Sequence, residues 1–271
     1  ADLWDFDYDQ PESPDLSPGS FVPLICVPTT AGTGAETEST AMLTDTAQGV
    51  KRCIWHTTQK PLLAILDPQV TVNLPADLTA WTGCDALVHA IEAFSVPDWN
   101  PLCDGLALEA IRLISGSLES AVAHGDDLEA RGAMLVGSCL AGISFLKGLG
   151  LVHAMSHMVG AACDTHHGLT NAVLLPPVLL YNKNALEEKV PLICKAMGLP
   201  SEDFHSMYSS VVELLDALEI PRGLSDLDVP ESELDSIAQK AYTDAARSTN
   251  PVSSTVSEIR DILGQSFLSA R

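Results

Sequence analysis

The sequence predicts two structural regimes in one chain, an α/β part over residues 1–74 and an all-helical domain over residues 75–271. Three observations carry that prediction. Short apolar runs bounded by turn-forming residues recur up to residue 66, as buried strands do. From Leu74 onward the apolar residues recur at helical spacing. Four of the eight histidines (His153, His157, His166 and His167) fall between Gly150 and Ala172, among small and apolar neighbours where solvation gives them no purpose.

Taken in order, residues 1–20 are acidic and proline-containing and read as an exposed, loop-like lead-in. Residues 21–27 read as a buried strand running into Pro28-Thr29-Thr30-Ala31-Gly32-Thr33-Gly34-Ala35-Glu36. The end of a strand is where an α/β sheet tends to bind its ligand. Glycines there admit close backbone approach, and threonine hydroxyls can donate to a phosphate or a carboxamide. A plain turn accounts for the same residues. Further strands are expected at 41–44, 50–55 and 62–66, the last closing on Asp67-Pro68. Helices are expected at 75–95, 102–123, 127–147, 152–161, 169–181, 185–197, 202–218, 231–246 and 252–268. Asp126 is the expected N-cap of the third, and residues 148–150 its expected stop. There is no internal repeat and no low-complexity tract.

A hydrophobic fraction of 46% fits a folded globule. The net charge of -22, with only 14 Lys and Arg, argues against nucleic acid and anionic membrane surfaces as partners. The seven cysteines are odd in number and scattered without a CxxC pair, so they read as reduced, mostly buried thiols of a cytoplasmic protein. No apolar run is expected to reach the roughly 18 residues of a membrane span. The acidic start, Ala1 to Asp7, is unlike a signal peptide.

The candidate chemistry lies in two stretches. Asp85 and His89, in Thr82-Gly83-Cys84-Asp85-Ala86-Leu87-Val88-His89-Ala90-Ile91-Glu92-Ala93, are four apart on one helix face, about 6 Å along the axis. An ordinary helix with one buried histidine explains them equally well until they are combined with His153 and His167. Those two histidines are fourteen residues apart, roughly 21 Å on one straight helix, too far to share an ion. A common site therefore requires a helix to end near Gly160 and another to start around His167-Gly168. Three imidazoles and one carboxylate suit divalent iron or zinc, and the lack of thiolates argues against a structural zinc. His157 shares the face of His153; a proton relay and a buried hydrogen bond explain it equally. His166 reads as a bystander, and His56, His124 and His205 as ordinary residues.

These residues resemble the iron-containing (group III) alcohol dehydrogenases. The resemblance rests on Pro28 to Gly34 with Glu36, on Asp67-Pro68, on the stretch Thr82 to Ala93, on Gly150 to Pro176 and on Asn250-Pro251, which together span nearly the whole chain. It implies a dehydroquinate synthase-like architecture: a dinucleotide-binding α/β domain, here incomplete, and a helical metal-binding domain with the active site between them. It further implies Asp85, His89, His153 and His167 as metal ligands, His157 close to the nicotinamide as a catalytic residue, and Thr29, Thr30, Thr33, Lys51 and Leu78 as cofactor contacts. The implied activity is hydride transfer between a small alcohol, or its aldehyde or ketone, and NAD or NADP. A homo-dimer or larger homo-oligomer is expected.

Two departures stand out. The family's Gly-Gly-Gly-Ser phosphate loop is missing, since the sequence has no Gly-Gly pair. The chain is therefore expected to lack about a hundred residues of its first domain. Glu38 stands where the family more often has a small hydroxyl residue, and its charge disfavours a nearby phosphate. Competing expectations are a metal-dependent hydrolase or lyase, an inactive fragment lacking the phosphate loop, and a relative of the hydroxyacid–oxoacid transhydrogenases.

Overall fold

A computed structural model describes residues 2–8, 10, 14–16, 21–47 and 50–268. Its first part holds four short strands: β1 (Ile25–Cys26), β2 (Thr40–Asp45), β3 (Val50–Trp55) and β4 (Leu63–Ala64). β2 and β3 form an antiparallel ladder running from Thr40 opposite Trp55 to Asp45 opposite Val50. β1 and β4 pair in parallel, Ile25 with Leu63 and Cys26 with Ala64.

The strand expected over residues 21–27 contracts to two residues, and the one at 62–66 likewise. Pro23 and Pro28 have no N–H to give a ladder. The pair is extended only by the Leu62 N–H to Leu24 O and Ile65 N–H to Cys26 O bonds. The lead-in is not the loop expected where it is described. Leu3–Phe6 form a 3-10 turn, Asp7 bridges to Ile54, and Arg52 joins Asp7 (2.6 Å) to Asp45 (3.2 Å).

The helical part comprises α1 (Ala76–Ser95), α2 (Pro101–Ala123), α3 (Leu128–Ser144), α4 (Leu151–Cys163), α5 (His167–Asn182), α6 (Val190–Ala196), α7 (Phe204–Ala217), α8 (Leu234–Ala241) and α9 (Val256–Leu268). Several boundaries differ from expectation for local reasons. Asp127, not Asp126, caps α3 by accepting the Glu129 and Ala130 N–H groups. The expected helix 185–197 is a 3-10 turn, Lys183–Leu186, followed by α6, whose first turn holds Pro191 where no N–H is needed. The expected helix 231–246 breaks after α8, and Asp244 caps a new 3-10 turn, Ala245–Thr249. α9 begins late because Thr255 and Glu258 cap each other reciprocally.

α1 sits at the centre of the domain. From Gly83 to Ser95 every residue is buried, and it packs against α2, α3 and α5. Such all-round burial is the mark of a core helix. Residues Leu128–Lys147 form a helix long and apolar enough to cross a membrane by length and composition alone, although Glu129, Arg131 and Lys147 keep it from being an unbroken apolar run. About half of its most apolar stretch is buried inside the fold, and Arg131 in this helix bonds Thr79 Oγ1 and the Gly125 and Leu74 carbonyls.

Candidate metal centre

The site is built where α1, α4 and α5 converge. Asp85 and His89 leave the same buried face of α1, four residues apart as expected. His153 projects from the first turn of α4. α4 runs to Cys163, three residues beyond the expected stop at Gly160, and ends on Asp164 in the left-handed region (φ 54). This reverses the chain, so that α5 starts at His167 as expected. The His153 and His167 ring centroids are 5.3 Å apart. Gly168 permits the close approach, since a Cβ there would lie 2.3 Å from the Trp81 carbonyl and 3.0 Å from Asp85 Cβ.

Asp85, His89, His153 and His167 each offer a ligand atom, and these atoms lie within 4.8 Å of one another. His89 Nε2 and His153 Nε2 are both 3.9 Å from Asp85 Oδ1, and His167 Nε2 is 3.5 Å from it. Burial is the main force on all three imidazoles. It lowers His89, lowers His153 well below the ordinary value, and brings His167 down to about 4. The rings are thus neutral at ordinary pH, as metal ligation requires.

The far ring nitrogens differ in their partners. His153 Nδ1 is 2.7 Å from Glu92 Oε2 and His167 Nδ1 is 3.4 Å from Ser156 Oγ. His89 Nδ1 closes no regular hydrogen bond among the described residues, although the Gly32 carbonyl is near enough to hold its proton affinity up. Asn171 donates Nδ2 to Asp85 Oδ1 at 2.7 Å, while its own Oδ1 is buried without a partner among the described residues. Three neutral lone pairs and one carboxylate gathered at one point fit a shared divalent cation.

His157 lies at the rim. Its side chain is 41% exposed, it stacks on His167 at 5.5 Å, and its Nδ1 meets Asp244 Oδ2 at 3.0 Å. The ring is hydrogen-bonded, but at the surface and beside the cluster, so the expected buried hydrogen bond is not what holds it. His166 stands outside the four-residue cluster and has a local structural part. It caps α5 by accepting the Leu169 N–H and packs on Trp81 at 5.0 Å.

The Thr/Gly loop is anchored on the helices. A Cβ at Gly32 would meet Thr82 of α1 at 2.8 Å, and one at Gly34 would meet Gly142 Cα of α3 at the same distance. Ser138 Oγ donates to the Gly32 carbonyl. The glycines are buried while Thr29, Thr30 and Thr33 are exposed, an arrangement that a plain turn does not need. Leu78 is half-buried in the first turn of α1. Lys51 lies in β3, and its side chain is outside the described residues. Burial pushes the Glu38 carboxyl up, with Lys60 opposing it.

Glu92, Asn171 and Asp244 have no role in the sequence reading. The first two had a signal, because Glu92 follows His89 by three residues and Asn171 follows His167 by four, so each shares a helix face with a ligand. Asp244 is 87 residues from His157 and offers no local clue.

Residues 79–267 match the model of the Fe-containing alcohol dehydrogenase family, C-terminal, and residues 2–68 that of iron-containing alcohol dehydrogenase. The chain is 41% identical over 239 residues to the probable alcohol dehydrogenase EutG of Escherichia coli (strain K12), covering 88% of itself and 60% of that protein. It is 40% identical to a crystal structure of 1,3-propanediol oxidoreductase, with a TM-score of 0.87 over 90% of this chain and 66% of that one. It is 28% identical to sulfoacetaldehyde reductase from Bifidobacterium kashiwanohense in complex with NAD+, with a TM-score of 0.87 over 97% and 68% of the two chains. The chain thus spans 60% to 65% of the length of curated relatives such as EutG and the 1,3-propanediol dehydrogenase of Citrobacter freundii.

Proposed function

The chain belongs to the iron-containing alcohol dehydrogenase family, and from that premise we propose that it interconverts a small alcohol and its aldehyde or ketone by hydride transfer with NAD or NADP. The convergence of Asp85, His89, His153 and His167 from three helices, with ligand atoms within 4.8 Å, carries this reading. We assign cofactor contacts chiefly to residues 1–74 and the metal chemistry to residues 75–271. A divalent ion held by the four residues, iron by donor set and family or zinc in its place, supplies Lewis acidity toward a substrate oxygen.

The chain's own groups set the remaining conditions. Asp85 brings the one negative charge of the set into a buried site, where charge interactions are strong. His89 and His153 are almost fully buried and fix the floor of the site, whereas the His167 side chain is 40% exposed and marks its open side. A substrate hydroxyl entering there passes His157. Asp244 holds His157 by Nδ1, which leaves Nε2 to take the hydroxyl proton toward solvent. To the cofactor we assign the exposed hydroxyls of Thr29, Thr30 and Thr33 and the apolar Leu78, and on the family resemblance alone Lys51 for its ribose.

The test is reduced-nicotinamide absorbance with a panel of short alcohols, on protein of full natural length loaded with iron or zinc. His153→Ala and His167→Ala are expected to abolish turnover and lower bound metal. Unchanged turnover in both variants would remove the metal role.

A further inference from the structure

The geometry points to Glu92 as the residue that positions His153 for metal binding, an inference that rests on the metal-centre reading above. Glu92 lies on α1, three residues after His89, and its carboxylate reaches the start of α4. Oε1 accepts the Val152 N–H at 2.7 Å, and Oε2 accepts the Gly150 N–H at 2.9 Å and faces His153 Nδ1 at 2.7 Å. The Leu151 N–H between them goes to Asn250 Oδ1 at 3.2 Å. The opening N–H groups of α4 are thus capped by side chains from elsewhere in the fold, and a negative group sits where the helix dipole favours one.

Glycine at the N-cap of α4 leaves room for this contact, which a side chain there would push aside. A Cβ on Gly150 would lie 2.6 Å from Glu92 Oε1 and 2.9 Å from Asn250 Oδ1. The sequence Gly150-Leu151-Val152-His153 therefore lets one carboxylate grip both the helix start and the imidazole it carries.

The chemical consequence is a choice of tautomer. Burial pushes the Glu92 carboxyl up to about 7 while the Val152 and Gly150 N–H groups oppose it; in its ionised form it only accepts hydrogen bonds, and His153 then carries its proton on Nδ1. Nε2 then keeps its lone pair, and Nε2 is the atom turned toward Asp85 and Asn171. Carboxylates on the far nitrogen of a ligating histidine fix its orientation and raise its basicity in this way. Of the three imidazoles in the cluster, His153 alone has such a partner among the described residues. His167 has only Ser156 at 3.4 Å, and His89 Nδ1 has no regular partner there. Glu92 is therefore a positioning residue acting through one ligand.

The experiment is a double-mutant cycle on zinc affinity, measured by chelator competition in the purified protein. Glu92→Gln is expected to weaken Zn2+ binding by about 10- to 100-fold. In a His153→Ala background the same substitution is expected to change affinity by no more than about twofold, because its route to the metal is gone. Equal losses in both backgrounds, or no loss in either, overturn the inference while leaving the metal centre intact. A His153→Ala variant that binds Zn2+ as tightly as the parent overturns the metal-centre reading as well. Should Glu92→Gln fail to fold, imidazole nitrogen spectra of the unsubstituted, metal-free protein decide the matter. His153 protonated at Nδ1 supports the assignment, and His153 protonated at Nε2 overturns it.

Discussion

The helical domain buries Leu87, Ile111, Ile114 and Leu118 to 1% exposure or less, whereas the strand pair β1/β4 and its flanks leave Val22, Ile25, Leu62 and Leu63 half exposed or more. Parallel strands are ordinarily covered on both faces, so the two regions hold their shape by different means. The helices close a core of their own around α1, and the metal centre draws three of its four groups, Asp85, His89 and His153, from inside that core. The Thr/Gly loop belongs by sequence to the strand region, yet it is seated by Thr82, Ser138 and Gly142 of the helices. The position of the proposed cofactor loop is thus set by the same helices that set the metal ligands, and less by the sheet from which the loop emerges.

The sharpest way to break this comparison is to cut into each region with a single substitution. Leu118→Ala, in the closed core, is expected to cost about 3–5 kcal/mol in denaturant unfolding. A cost below about 1 kcal/mol would show that the helical core is not the stabilising unit. Next in size is Gly34→Ala. Its φ of 68 and its 2.8 Å approach to Gly142 Cα predict a loss of about 1–3 kcal/mol in the same measurement, together with weaker NAD(P) binding by fluorescence titration. Unchanged stability and cofactor affinity would mean that the loop is seated by its sheet after all.

A smaller effect follows from His167. Burial lowers it from the ordinary 6.5 to about 4 in the folded, metal-free protein. Between those values the unfolded chain binds the proton and the folded one does not, so stability falls as pH falls through the window. The side chain is 40% exposed, so solvent screening keeps the effect modest. A metal-free His167→Asn variant should therefore gain thermal stability relative to the parent as pH drops from 7 toward 4. A gap between the two that does not change with pH would refute the assignment. The smallest effect belongs to the open region: Leu62→Ser is expected to stay within about 0.5 kcal/mol of the parent.

How much of this was readable beforehand depended on whether the signal was local. The change to helical period at Leu74 is a local pattern, and α1 to α5 fall close to where it puts them. Asp85 and His89 are one turn apart, and the distance between His153 and His167 demanded the break that Asp164 provides. The break itself came three residues late, because Gly160 stays helical in α4 and the left-handed residue is Asp164. The lengths of β1 and β4 were overestimated, because apolar runs do not reveal where prolines interrupt a ladder, whereas β3 matched 50–55 and β2 ran one residue past 41–44 at each end. Pairings such as Asp7 with Arg52, His157 with Asp244 and Glu92 with Gly150 join distant segments, and no window of sequence contains both partners. Glu92 and Asn171 were within reach, since each shares a helical face with a ligand, but a carboxylate or an amide on a face gives no hint of which far nitrogen or oxygen it will meet.

The central claim is that one ion sits among Asp85, His89, His153 and His167, and anomalous X-ray diffraction from crystals grown with zinc tests it most directly. The expected result is a single strong peak per chain, at about 2.0–2.2 Å from His89 Nε2, His153 Nε2, His167 Nε2 and an Asp85 carboxylate oxygen. A map with no peak there, or with its peak elsewhere on the chain, would contradict the account.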